Sequence, residues 1–386
     1  MHGYPHTKLE DWKYTNVRKI TEPAYVRPSR EAGRTVSKKA FTAYPLTGLD
    51  AWYLVFVNGW LNEELSVFPR EQEGISIGSI GESHLQPAVA AHFGTVAEIS
   101  SGFAASNTAH FHDGTFIHAG PGCILDKPLV LYHLSTGAEE PLMIQPRNLI
   151  IAEEGASFKI VEIFAGSAGR PSLTNVVTEI KAYRNALLDY TKLQLETGEN
   201  YHIGNTEIEQ HENASVDTHV ISLNGAFIRN NLHFHLKEKQ CRSIMNGLYL
   251  LNGRQFLDNH TRVNHAAPEC YSDQLYKGII NNQATAVFNG KIFVERDAQK
   301  TNAYQRNVNI LLSDEATINT KPQLEIFADD VRCTHGATSG HLDDEAVFYL
   351  RSRGLSESDA RRLLLYAYAE EVIGKLQIDE LKEPLM

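Results

Sequence analysis

Cysteine is scarce and scattered: Cys123, Cys241, Cys270 and Cys333 are the only four in 386 residues, and none forms a C-x-x-C. That spacing excludes a disulfide framework and a self-contained zinc module, and it fits reduced thiols in a cytoplasmic compartment. No apolar run approaches the ~20 residues of a helical membrane span. The opening Met1-His2-Gly3-Tyr4-Pro5-His6 lacks a basic region followed by an apolar core, so no signal peptide is expected. Basic excess is missing too. A net charge of −11 argues against general affinity for nucleic acid or anionic membrane, with only "VRKITEPAYVRPSR" (17–30) as a local basic stretch. Neither G-x-x-x-x-G-K-[ST] nor a helix-opening G-x-G-x-x-G occurs, so nucleotide hydrolysis near this chain would belong to another protein.

What is present divides into three zones, 1–100, 101–335 and 336–386. The first is mixed in texture and holds all three tryptophans. In it "AWYLVFVNGWL" (51–61) reads as a buried strand entering an Asn58-Gly59 turn. The second zone is a succession of short alternating runs such as "NLIIAEEGASFKIVEIFAG" and "TAVFNGKIFVERDA", which predicts an all-β sandwich, barrel or solenoid. A loose repeat favours the solenoid. Polar residues followed by a small one recur, with the small residues at Ala156, Ala186, Ala214, Cys241, Ala284 and Ala316. The steps of 30, 28, 27, 43 and 32 residues suit the corners of stacked coils. A β-helix is therefore the expected core, with Cys241 as a corner residue.

The third zone turns helical. Asp343 can cap "DEAVFYLRSR", Gly354 can end it, and Ser356 with Asp359 can open the next helix. Leu363, Leu364, Leu365, Tyr366, Ala367 and Tyr368 are apolar or aromatic on almost every face. Such a helix is either central to a helical domain or covered by another protein.

Three stretches carry candidate chemistry. "GATSG" (336–340) nearly matches a nucleophile elbow, but Thr338 replaces the serine and the preceding chain is repetitive β. "HFHDG" (His110, His112) and "HFH" (His233, His235) place imidazoles two residues apart, half of a metal site if they lie on strands; His260 and His265 add two more. Cys333 and His335 share the same spacing and would share one strand face, again as an incomplete ligand set. "DDVRCTHGATSG" (329–340) is expected to be a strand-to-helix junction turned by its glycines.

The continuous stretch "HAAPECYSDQLYKGIINNQATAVFNGKIFVERDAQKTNAYQRNVNILLSDEATINTKPQLEIFADDVRCTHGATSGHLDDEAVFYLRSRG" (265–354) strongly resembles the SufB/SufD family of iron–sulfur cluster assembly proteins. "KLEDWKYTNV" (8–17) and "LVFVNG" (54–59) extend the likeness towards the N-terminus. SufB-type members carry Glu-His-Glu-Ala-Thr where this chain has Thr334-His335-Gly336-Ala337-Thr338. They also carry a cysteine in the segment matching "LLSDEATINT" (311–320), which this chain lacks. The missing ligands favour the SufD side of the family.

The resemblance implies a mainly β fold, a right-handed parallel β-helix between helical regions. It implies a non-enzymatic scaffold with no resident cofactor, pairing through the β-helix with a SufB-like chain, or with itself when isolated. It further implies a SufC-like ATPase docked on the C-terminal helices, where Leu363, Leu364, Tyr366 and Tyr368 are the candidate contacts. Transient iron or a nascent iron–sulfur cluster would sit near His335 and Cys333. A purely structural subunit, or a self-sufficient metalloenzyme using His110/His112 or His233/His235, are the competing expectations.

Overall fold

The computed structural model describes every residue except Met1, His2, Arg70, Glu73, Leu85, Ser100 and Ala168. Its core is a parallel β-solenoid of about 8 turns with helices at both ends. From Arg147–Ala152 onward each coil contributes one strand to each of two facing sheets, so strands adjacent in sequence there lie in opposite sheets. One sheet ends at Arg332–Gly340 and carries the C-terminal helices on its outer face; it is called here the helix-side sheet. The other ends at Thr317–Ile326 and is crossed by the N-terminal segment; it is called the N-terminal-side sheet.

Alternation of side chains explains why these runs become strands. In Thr285–Val294, Ala286, Phe288, Ile292 and Val294 face inward and are buried, with Gly290 at the remaining inward position. Leu131, Ile160, Ile180, Phe234 and Phe288 belong to one apolar core between the sheets. Burying each such side chain contributes roughly 1.5–3 kcal/mol.

The corners show why the repeat works. Gly155, Asn185, Asn213, Gln240, Glu269 and Lys300 all adopt left-handed backbone at φ between 57 and 71°. Each N–H donates to a carbonyl of the next coil's corner, as from Asn185 to Glu212 at 3.0 Å and from Gln240 to Pro268 at 3.2 Å. The residue that follows points inward and must be small: Ala156, Ala186, Ala214, Cys241, Cys270 and Thr301. These positions are 30, 28, 27, 29 and 31 residues apart. The expected series is therefore corrected at one step. Ala284 and Ala316 line the opposite corner, and the 43-residue gap marks the crossing from one edge of the solenoid to the other.

Strand Trp52–Val57 pairs in parallel with Leu129–Thr136, so part of the first zone belongs to the solenoid. Asn58 (φ 50°) and Gly59 (φ 81°) form the expected turn into Trp60–Leu61. The stretch read as a junction is instead an extended strand: Arg332–Gly340 pairs residue by residue with Asn302–Ile310 and runs across the boundary drawn at residue 335. Gly336 makes no turn there, and the helix begins only at Asp344.

The N-terminal segment is clamped to its sheet by ionic contacts. Trp12 stacks over the Arg229 guanidinium, 4.0 Å from the ring centroid, and Arg229 pairs with Asp258 at 2.5 Å. Thr15 donates to the same carboxylate. At the other end Asp343 caps Asp344–Ser352 and Ser356 caps Glu357–Ile373, with Gly354 left-handed (φ 98°) between them. Ala369, Val372 and Ile373 bury against Val161, Ile163, Leu248 and Leu275 of the helix-side sheet.

Candidate functional site at the open end of the solenoid

The final coil has no coil beyond it. Arg332–Gly340 is the last strand of one sheet and Thr317–Ile326 the last of the other, so both present unpaired edges. Their inward residues face no further layer. In Arg332–Gly340 these are Cys333, His335, Ala337 and Ser339, in register with buried Ala303, Gln305, Asn307 and Asn309. Cys333 is partly buried against Ile292 and Ala303, whereas His335 is exposed. The two lie on one face of one strand, about 6–7 Å apart at Cα, as their spacing predicts.

The floor under this mouth is polar. Gln305 donates to Gln274 at 2.7 Å, and Gln274 donates to Thr261 at 2.5 Å. Tyr249 donates to Asn309 at 2.5 Å, and Asn307 donates to Tyr249 at 3.2 Å. Among the described residues, Oε1 of Gln305 and the buried Thr320 hydroxyl have no hydrogen-bond partner. Burial pushes the Cys333 thiol above its ordinary value, although a contact with the Ala303 backbone pulls the other way. A metal must therefore displace its proton. Cys333 and His335 would supply one sulfur and one imidazole nitrogen to a metal, two short of the four ligands a tetrahedral iron or zinc requires.

The other histidines separate into distinct environments. His110 and His112 do not form a strand pair: His110 ends the helix Gly102–His110, and His112 packs on Trp60 with ring centroids 4.6 Å apart. Burial, the first cause, lowers His112 to about 4, which keeps it neutral. His233 and His235 do share a strand face, and both approach Glu207 at 2.9 Å. His260 faces outward to Asp258 at 3.2 Å, and His265 faces inward to Ser272 at 2.9 Å. Among the described residues no group of three or more His, Cys, Asp or Glu side chains could hold a metal ion.

The candidate docking residues divide by direction. Tyr368 lies on its own sheet, donating to the Val308 carbonyl at 2.7 Å and stacking under Lys277. Leu364 packs within the helix pair beside Val347 and Ala360. Leu363 and Tyr366 remain exposed, as do Phe348 and Tyr349 of the preceding helix, which are 72% and 57% exposed. Phe348 and Tyr349 were not marked from the sequence, because a single amphipathic helix does not say which apolar face its neighbour leaves open. No described helix is long and apolar enough to cross a membrane.

Residues 133–368 match the family profile described as SUF system FeS cluster assembly, SufBD core domain, and residues 1–131 match the SufBD protein N-terminal region. The chain belongs to the SufBD family. Among SufBD relatives, the iron–sulfur cluster assembly protein SufD of Escherichia coli is 33% identical over 386 residues, covering all of this chain and 88% of its own. A SufBD family protein of Synechocystis is 32% identical over 388 residues, covering 98% of this chain and 85% of its own. The chain is thus a SufD homologue in iron–sulfur cluster assembly, and the expected resemblance holds along its whole length.

Proposed function

We propose that this SufBD protein is a scaffold subunit rather than an enzyme, acting in the cytoplasm with a SufB-like chain and a SufC-like ATPase. The open terminal coil carries this reading. It offers two unpaired strand edges to a second solenoid and brings Cys333 and His335 to the rim where the chains would meet. Iron or a nascent cluster is the cargo: this chain gives one thiolate and one imidazole, and the SufB-like chain completes the sphere. The same edges pair two copies of this chain when no partner is present. Leu363, Tyr366, Phe348 and Tyr349 form the surface for the ATPase, whose movements pass through residues 343–375 to the sheet beneath.

The test is co-expression of His335→Ala with the SufB-like and SufC-like chains. The variant complex should assemble at wild-type stoichiometry and fail to build a cluster, read by visible absorption and iron content. Normal cluster formation would remove the ligand role and leave a purely structural subunit.

A further inference from the structure

Cys241 and Cys270 occupy consecutive corners of the solenoid. Strand Arg242–Leu251 pairs with Tyr271–Ile280 starting at Arg242 against Tyr271, so the residues just before them are also in register. Three contacts show the corners lying directly over one another. The Gln240 N–H donates to the Pro268 carbonyl at 3.2 Å, and the Tyr271 N–H to the Cys241 carbonyl at 2.8 Å. On the outside, the Gln240 side chain donates to Glu269 at 3.1 Å. Inside, both thiols point at one oxygen: Cys241 Sγ is 3.1 Å and Cys270 Sγ 3.3 Å from the Glu238 carbonyl. Both cysteines are free, and both are essentially inaccessible.

A third group completes the cluster. His265 is fully buried; its Nε2 meets the Ser272 hydroxyl at 2.9 Å, and its Nδ1 has no hydrogen-bond partner among the described residues. Contact with the Cys241 thiol, aided by His265, lowers the Cys270 thiol, while the same contact raises Cys241. The ordinary role of a corner residue is to be small, and alanine fills that role at Ala156, Ala186 and Ala214. Two successive cysteines beside a histidine do more than fill space.

We infer that Cys241 and Cys270 form an oxidisable dithiol, a modification site at which hydrogen peroxide, entering when this closed corner opens, staples two adjacent coils. The Cys270 sulfur attacks one peroxide oxygen and breaks the O–O bond, giving a sulfenic acid and, with the Cys270 proton, water. The Cys241 sulfur then attacks the Cys270 sulfur, and the hydroxyl leaves as water with the Cys241 proton. Two thiols lose two electrons, which reduce the peroxide. In-register neighbours in a sheet are about 4.7–4.9 Å apart, inside the roughly 4.4–6.8 Å Cα window of a disulfide. Cys123 and Cys333 lie on other coils and serve as internal comparisons.

The test uses the full-length reduced protein without iron or partners, so its result is independent of the proposed scaffold role. After hydrogen peroxide treatment, free thiols are alkylated in denaturant and the peptides mapped. The expected product is a peptide pair linked through Cys241 and Cys270, reversed by dithiothreitol. In Cys241→Ser the resolving thiol is gone, and dimedone should label Cys270. Full alkylation of Cys241 and Cys270 in the wild-type protein, under conditions that oxidise Cys123 or Cys333, would overturn the inference whether or not the variant folds.

Discussion

At the scale of single residues, the solenoid interior is less oily than its strand pattern suggests. Glu162 faces inward between Ile160 and Phe164 and is fully buried. Asn148 donates to it at 2.7 Å, Tyr190 donates through its hydroxyl, and the Lys192 ammonium stands 3.3 Å away. Burial alone would raise this carboxyl, but Lys192, His133 and Tyr190 outweigh it and hold the group at about 2, below its ordinary 4.5. A depressed carboxyl stabilises the fold above its unfolded value, and that contribution is lost as pH falls from about 4.5 towards 2. Lys192→Met should lower stability by about 3–5 kcal/mol at pH 7, because it strands a buried charge. The deficit should narrow on acidification as Glu162 takes up a proton. Denaturant midpoints at both pH values check this; a loss below about 1 kcal/mol at pH 7 would show that Lys192 does not compensate Glu162. The run "SFKIVEIFAG" does not say which way Glu162 points, because Val161 and Ile163 on its other face are apolar and buried as well. Its partner was not legible either, because Lys192 lies one coil and 30 residues away.

At the scale of elements, the corners were the most legible feature, since a left-handed residue and a small inward neighbour leave a compositional trace. The trace failed where the opposite corner leaves the same one. Glu269 and Lys300 adopt left-handed backbone as Asn185 and Asn213 do, and Thr301 takes the small position. Both fit polar residues followed by a small one, but so do Gln283-Ala284 and Glu315-Ala316 of the opposite corner, and composition does not separate the two edges. The final strand was misread for a related reason: Gly336 and Gly340 suggest a turn, yet ladder pairing with Asn302–Ile310 holds Arg332–Gly340 extended. Ala214 tests the corner argument. It is fully buried beneath Asn213, and Gln210 donates to its carbonyl at 3.0 Å. Ala214→Leu should cost about 1–3 kcal/mol through overpacking, because the neighbouring corners leave no room for the added carbons. A thermal midpoint equal to that of the wild-type protein would show that the corner is not tightly packed.

At the scale of the whole molecule, the question is what the open end is for. The sequence marked Cys333 and His335 but not Gln305, Thr320 or Tyr249, because the mouth is assembled from coils separated by tens of residues. The edge itself follows from the ladder. The Arg332 N–H donates inward to the Thr301 carbonyl at 2.9 Å. Backbone groups alternate in direction along a strand, so those of Thr334, Gly336 and Thr338 also serve the ladder, while those of Cys333, His335, Ala337 and Ser339 face the open side. Proline lacks the N–H and is tolerated on an edge strand where that group points away from the sheet. Ala337→Pro should therefore preserve the fold, with circular dichroism and thermal midpoint near wild type, while removing one donor from the pairing edge and opposing a second strand there. Sedimentation velocity should show self-association of the wild-type chain and a predominantly monomeric variant at equal concentration. Thr338→Pro, which instead deletes a donor to the chain's own ladder, should lower stability, separating damage to the fold from damage to the interface. Equal association of the wild-type and Ala337→Pro chains would mean that solenoids do not join through this edge, and the shared ligand site would lose its second half.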